Sequence, residues 1–362
     1  MLRSVTHDSA ASERTLTVVE TPRAASRGSD FARLSRRIAQ AGLLDRRPVY
    51  YVIRITLVAA LFAGGWTVFA TVGDSWWQLG VAALLAVAFA QVTLLAHDLA
   101  HGQVFRSRRT SRIAGLLVGN VTVGLSYGWW MDKHTRHHAN PNHEDHDPDV
   151  APDILVWSEK QAGEARGLPR FIGRWQAFLF FPLLTLEGLN LKVSGFRALR
   201  RVKGARTEGL LLAVHNLAYL IGVFAVLPPG KALVFLAVHQ ACYGVYLGCT
   251  FAPNHKGMPV LTAEDSLDFL RRQVLTSRNV RGGRLMNVAL GGLNYQIEHH
   301  LFPSMPSANL RRARPIVREY CDELGVAYVE CGLVGSWAQA MRHLHAVGAP
   351  LRQEMTISSR PS

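Results

Sequence analysis

Three separated segments of this chain space their histidines so that a helix would gather them. His134-Thr-Arg-His137-His138 and Gln296-Ile-Glu-His299-His300 share one pattern, a residue followed three and four positions on by histidine. His97-Asp-Leu-Ala-His101 carries the i, i+4 half of it. On an α-helix those offsets put the side chains on a single face, one turn apart. One such pair is commonly a polar surface patch, but three in one chain point to a metal. Imidazole binds iron, zinc, copper and nickel alike, and spacing does not choose among them. The four cysteines (Cys242, Cys249, Cys321 and Cys331) contain no CxxC, and two lie in an apolar run. They indicate neither a disulfide framework nor a cysteine metal site.

The elements that must position these histidines are membrane spans. Residues 50–72 form an apolar run long enough to cross a bilayer, with Arg54 able to snorkel near its start. Gly73-Asp-Ser turns the chain, and Trp76-Trp77 sits where an interfacial aromatic belt would. A second span, about 76–96, delivers His97 at its end. Arg106, Arg108, Arg109 and Arg112 follow at once and mark that side as cytoplasmic. Spans at about 209–228 and 231–252 make a second hairpin that turns at Pro228-Pro229-Gly230 and returns the chain to the same face at Asn254-His255. Residues 113–131 are nearly apolar enough for a further span. If the first two histidine segments share a site, however, the chain between them cannot cross an odd number of times. That run is short and interrupted by Asn120 and several glycines, which suits an interfacial or re-entrant helix. Residues 176–191, holding Glu187 and Asn190, are read the same way. The tract from Asn140 to Asp149 reads as a loop from its Asn, Asp and Pro content.

These readings predict an all-α integral membrane protein: four transmembrane helices in two hairpins, interfacial helices, and a helical cytosolic cap carrying the metal site. Both termini and every clustered histidine fall on the cytoplasmic side. The expected boundaries are a disordered tail (1–29), an amphipathic juxtamembrane segment (30–48), the membrane domain (49–303), the cap (304–347) and a second tail (348–362). In the juxtamembrane segment Phe31, Leu34, Ile38 and Ala41 recur at helical spacing among Arg33, Arg36 and Arg37, which suits a helix on the membrane surface or an ordinary solvated one. Lys and Arg outnumber Asp and Glu by 40 to 26, yet they flank apolar runs and form no stripe interleaved with aromatics. That distribution fits the positive-inside rule and not nucleic-acid binding.

HDLAH, HTRHH and QIEHH, split by two pairs of spans, resemble the three histidine boxes of membrane fatty acid desaturases, over roughly residues 50–320. The Gln at the head of the third box is similar to front-end desaturases, which act between an existing double bond and the carboxyl end. The cytochrome b5 domain with an HPGG haem motif that many of those carry is not found in this sequence. The resemblance implies a non-haem di-iron centre, four helices and a cytosolic cap. Its iron ligands would be His97 and His101, then His134, His137 and His138, then His299 and His300. Stearoyl-CoA desaturases use a further histidine after their fourth span, matching His255, and a nearby asparagine acting through water, for which Asn254 is a candidate. Gln296 takes the place of a histidine and could hydrogen-bond a bound water or bind iron weakly. Asp98, Glu298 and the carboxylates of 144–149 are candidates to accept ring N–H bonds from the ligands. His143 and His146 are weaker metal candidates, and His215 and His239 are left outside the site.

The implied reaction is O₂-dependent desaturation of a fatty acyl chain. Methylene protons are not acidic, so the hydrogens must leave to an oxidant made from O₂ by the two Fe ions, and the hard step belongs to that cofactor. With no flavin or haem motif in the chain, electrons would come from a separate ferredoxin, cytochrome b5 or flavin reductase-type donor, and a basic face suits an acidic one. The substrate would be a fatty acyl-CoA or acyl-lipid, with carrier protein also open, and membrane lipid is a partner. A di-iron hydroxylase is the nearest alternative. A membrane metal transporter or receptor fits less well, because transporters hold ligands near the bilayer midplane and these clusters sit at helix ends.

Overall fold

The computed structural model describes residues 29–358, so the first tail lies, but for Ser29, outside the described residues. Helix α1 (Asp30–Gln40) starts where Ser29 accepts from the Ala32 N–H. Its apolar stripe does not rest on a membrane: Leu34 and Ile38 are fully buried among Leu270, Val274, Leu310 and Val317 of the cap. An Arg37–Glu323 ion pair at 2.7 Å holds the polar face to the same body. This corrects the juxtamembrane reading. Apolar periodicity asks for an apolar partner, and here protein supplies it.

Helices α2 (Pro48–Val72) and α3 (Gln78–Ala100) make the first hairpin. Next come α4 (Arg108–Leu116), a wide π turn (Leu117–Val123) and α5 (Tyr127–Ala139), which carries the second histidine group. The apolar run 113–131 is therefore broken, not a single helix. Gly124 breaks it at φ +70°, where a Cβ would also stand 2.2 Å from the His215 ring. The break frees two carbonyls, and both find donors. His215 Nδ1 reaches Val121 O at 2.9 Å and Lys192 Nζ reaches Val123 O at 2.7 Å. His215 is thus a helix-to-helix staple.

The chain continues through α6 (Glu159–Glu164), α7 (Gly167–Leu184) and α8 (Glu187–Ala198). Helices α7 and α8 meet at a bend of 86°, so residues 176–191 are no simple span. The second hairpin is α9 (Ala205–Val226) with α10 (Pro229–His255). Helices α2, α3, α9 and α10 are long and apolar enough to cross a membrane, with 25, 23, 22 and 27 residues. Helix α3 is the innermost, packing Phe89, Val92 and Leu95 against Tyr243 and Leu247 of α10.

The remaining helices are α11 (Phe269–Leu275), α12 (Arg284–Ala289), α13 (Gln296–Leu301), α14 (Ser307–Glu323), α15 (Leu333–Val347) and α16 (Ala349–Ser358). Strands β1 (Asn279–Arg281) and β2 (Glu330–Gly332) add one short parallel pair. Helix α16 stands where a second tail was expected, and its Leu351 is fully buried.

Candidate metal centre

The histidines sort into two adjacent groups drawn from four helices. His97 and His101 (α3), His134 and His138 (α5) and His299 (α13) form the first group, and His137 (α5), His255 (α10) and His300 (α13) form the second. Within each, one ring nitrogen per residue lies within 4.8 Å of the others. Helical geometry explains the division. His134 and His138 share a face of α5, His137 faces the neighbouring group, and consecutive His299 and His300 diverge on α13. The groups share a wall, for His138 and His300 stack with ring centroids 4.3 Å apart.

The rings of the second group have their tautomers set. His137 Nδ1 lies 2.9 Å from Asp147 Oδ2, His255 Nδ1 3.0 Å from the Thr276 carbonyl, and His300 Nδ1 2.9 Å from Gln273 Oε1. Each Nδ1 donates, which leaves each Nε2 with a lone pair aimed inward, the one on His255 accepting from Gln296. In the first group the Nε2 atoms of His101, His134 and His138 face one another at 2.9 and 3.1 Å. Both ring nitrogens of His97 and His299, Nδ1 of His138 and Nε2 of His300 are buried with no hydrogen-bond partner. Buried polar atoms without partners are costly. Converging imidazoles in that condition fit a metal pair.

Burial and then the neighbouring imidazoles hold His101, His134, His138, His299 and His300 well below the usual histidine range, so they stay neutral as ligands must. His137 is the exception. Burial lowers it, but Asp149 and Asp147 outweigh that and raise it. Asp149 is itself paired with Lys133 at 2.6 Å.

The other expected participants divide. Gln296 does face the second group: its Nε2 donates to His255 Nε2 at 2.9 Å and its Oε1 accepts from Asn254 Nδ2 at 3.2 Å. Asn254 reaches the site only through Gln296, its Nδ2 being shared with the Thr250 and Leu293 carbonyls. Asp98 lies 3.7 Å from His97 Nδ1, too far for a hydrogen bond, and is bound by Arg54 and Ser307. Glu298 turns away from the rings and accepts from Asn279 and Tyr328 at 2.8 Å each, and burial pushes its carboxyl up to about 7. His143 and His146 pair with each other and join neither group. Gln273 and Thr276, the acceptors for His300 and His255, carry no signal in the sequence.

Trp130 stacks on His134 at 4.3 Å and helps close the first group. Beside His101 a cavity of about 950 Å³ opens between α4, α5 and the end of α8, and Arg46, Arg106, Arg108, Arg112, Arg201 and Lys203 are among its lining residues.

Residues 74–332 match the family described as fatty acid desaturase. Among curated proteins, the chain is 29% identical to an acyl-lipid (9-3)-desaturase of Physcomitrium patens over 91% of its own length and 65% of that protein's. It is 29% identical to a delta(5) fatty acid desaturase of Caenorhabditis elegans, over 92% of this chain and 77% of the relative. An acyl-lipid 8-desaturase of Rebecca salina is 31% identical, over 88% and 74% respectively. The chain thus spans about two thirds to three quarters of the length of these relatives.

Proposed function

This chain belongs to the fatty acid desaturase family, and from that premise we propose that it introduces a C=C bond into a fatty acyl chain at a pair of irons. The observation that carries the reading is the convergence of eight imidazoles, five buried and three half-buried, into two adjoining groups, with Nδ1 of His137, His255 and His300 already committed to an oxygen acceptor. His97, His101, His134, His138 and His299 would hold one iron and His137, His255 and His300 the other, with Gln296 beside the second. Bound there, the irons would supply the O₂-derived oxidant that an unactivated methylene pair demands. Overall, O₂, two electrons and two protons would take two hydrogens from the chain and leave as two waters. The protein's part is to fix the ligand rings, which Asp147, Gln273 and the Thr276 carbonyl do, and to cover them from bulk water, as Trp130 does beside His134.

The cationic cavity beside His101 suits an acyl group carried on a phosphate-bearing handle, as in acyl-CoA or acyl-lipid. Electrons would come from a separate ferredoxin, cytochrome b5 or flavin reductase-type protein, and the histidine-bearing end with both termini would face the cytoplasm.

The test is the fatty acid profile of a bacterial host expressing this chain with a matched electron donor, with His299→Ala as the control. The expected outcome is a new unsaturated acid, absent from the control, whose double bond mass spectrometry locates. A hydroxy acid in its place would overturn desaturation in favour of hydroxylation. Zinc without iron in the purified protein would sink both.

A further inference from the structure

Helix α12 lies in a stretch that reads as charged and water-facing, yet its hydrogen bonds tie it to the interior of two spans. The Ala289 carbonyl accepts from the Tyr246 hydroxyl at 2.7 Å and from Gln91 Nε2 at 3.1 Å, and Gln91 also donates to the Tyr246 oxygen at 2.9 Å. Gln91 is on α3 and Tyr246 on α10. Measured from the ends remote from the histidines, residues 78 to 91 rise about 20 Å and residues 229 to 246 about 26 Å. Both heights fall inside a hydrocarbon layer about 30 Å thick. The last turn of α12 therefore sits at a level that lipid chains occupy.

Two further observations agree. A carbonyl at that depth must be satisfied from within the protein, and Gln91 is the sole polar side chain between Leu79 and Val92. Leu285 is 83% exposed and Val288 65% exposed, on a helix of six residues that also exposes Arg284 and follows Arg281. From Ala289 back to Arg284 the helix rises about 7.5 Å, which carries Arg284 from the level of Ala289 toward the layer of lipid phosphates.

We propose that α12 is a membrane-inserted wedge, with Leu285 and Val288 among the acyl chains of the histidine-side leaflet and Arg281 and Arg284 at its phosphates. The wedge also fixes the height of the third histidine pair, since the chain turns just after it and the Gly292 N–H returns to the Asn287 carbonyl at 2.8 Å. Its partner is the bilayer itself. The inference needs only that the four helices span, and it stands whether or not the catalytic reading does.

The test places a single added cysteine on the full chain, at Leu285→Cys or Val288→Cys, with Arg318→Cys on the exposed face of α14 as reference. Each is labelled with an environment-sensitive fluorophore in phosphatidylcholine vesicles. The unsubstituted chain, labelled alike, gives the native-cysteine signal to subtract. All three side chains are exposed, so the substitutions leave packing intact. Labels at 285 and 288 are expected to be quenched by nitroxide-bearing lipid and shielded several-fold from aqueous iodide relative to 318. Iodide access at 285 and 288 equal to that at 318 would overturn the proposal.

Discussion

His300 shows how the ring of a candidate ligand is oriented by its neighbours. Its Nδ1 donates to Gln273, a fully buried amide whose Nε2 in turn donates to the His138 carbonyl. One side chain thus orients a ring of the second group and ties down the backbone of a histidine in the first. Gln273→Leu removes the acceptor at nearly constant volume, and metal affinity is expected to fall about 10–100-fold. Gln273→Glu, which keeps the acceptor, should recover most of it. Competition with a chelator on the purified protein measures both, and a leucine variant as tight as the parent would refute the role. None of this was legible in the sequence. The histidines were, because i, i+3 and i+4 spacing is a local property of one helix. An acceptor brought in from a separate helix leaves no local pattern, and adjacency can mislead. Glu298 precedes His299, yet its carboxylate is held by Asn279 and Tyr328 on the far side.

At the level of elements, the placement of α5 decides whether three histidines point inward, and its first turn is anchored by Glu208 of α9. That carboxylate is buried with no cation paired to it among the described residues, and its Oε2 accepts from the Ser126 hydroxyl at 2.8 Å, the Gly128 N–H at 3.1 Å and the Asn120 amide at 3.2 Å. A carboxylate at a helix N-terminus is favoured by the unsatisfied N–H groups there. Gly128 makes the approach feasible, since a Cβ in its place would stand 2.2 Å from Glu208 Oε1. Glu208→Ala leaves these donors unpaired, at about 1.5–3 kcal/mol for a bond to a charged group, and should lower stability and iron content together. Glu208→Gln should fall between it and the parent, and Gly128→Ala should resemble the alanine variant. Iron stoichiometry beside thermal unfolding separates the cases, and full iron loading in Glu208→Ala would count against the anchor. The spans themselves were plain from apolar runs of bilayer length. The destination of α1 was not, because a stripe such as Leu34 and Ile38 is equally suited to lipid and to a protein core.

For the whole molecule, the two hairpins bring the histidine groups to one end of the bundle, and the cationic cavity opens beside that end. His101 contributes to both the first histidine group and the cavity lining, so an acyl group held there would have its carrier close to the clustered histidines. Among the described residues, Arg112 and Arg201 have no acidic partner within ion-pair distance, whereas of the two acids in the same lining Asp132 is paired with Arg136 at 3.1 Å and Glu208 is taken up by Ser126, Gly128 and Asn120. The cavity is left with excess positive charge, which a phosphate-bearing carrier would neutralise. Replacing both Arg112 and Arg201 with Gln removes two such contacts. At about 1 kcal/mol each, KM for a phosphate-bearing acyl substrate should rise roughly 30-fold with kcat little changed. Raising the ionic strength should weaken the parent's binding and leave the double variant nearly indifferent. Parallel assays with acyl-CoA and with acyl-phospholipid vesicles identify the carrier, since only the one used should respond. An unchanged KM for both, at full iron content, would mean that the carrier binds elsewhere and that these arginines serve the membrane surface.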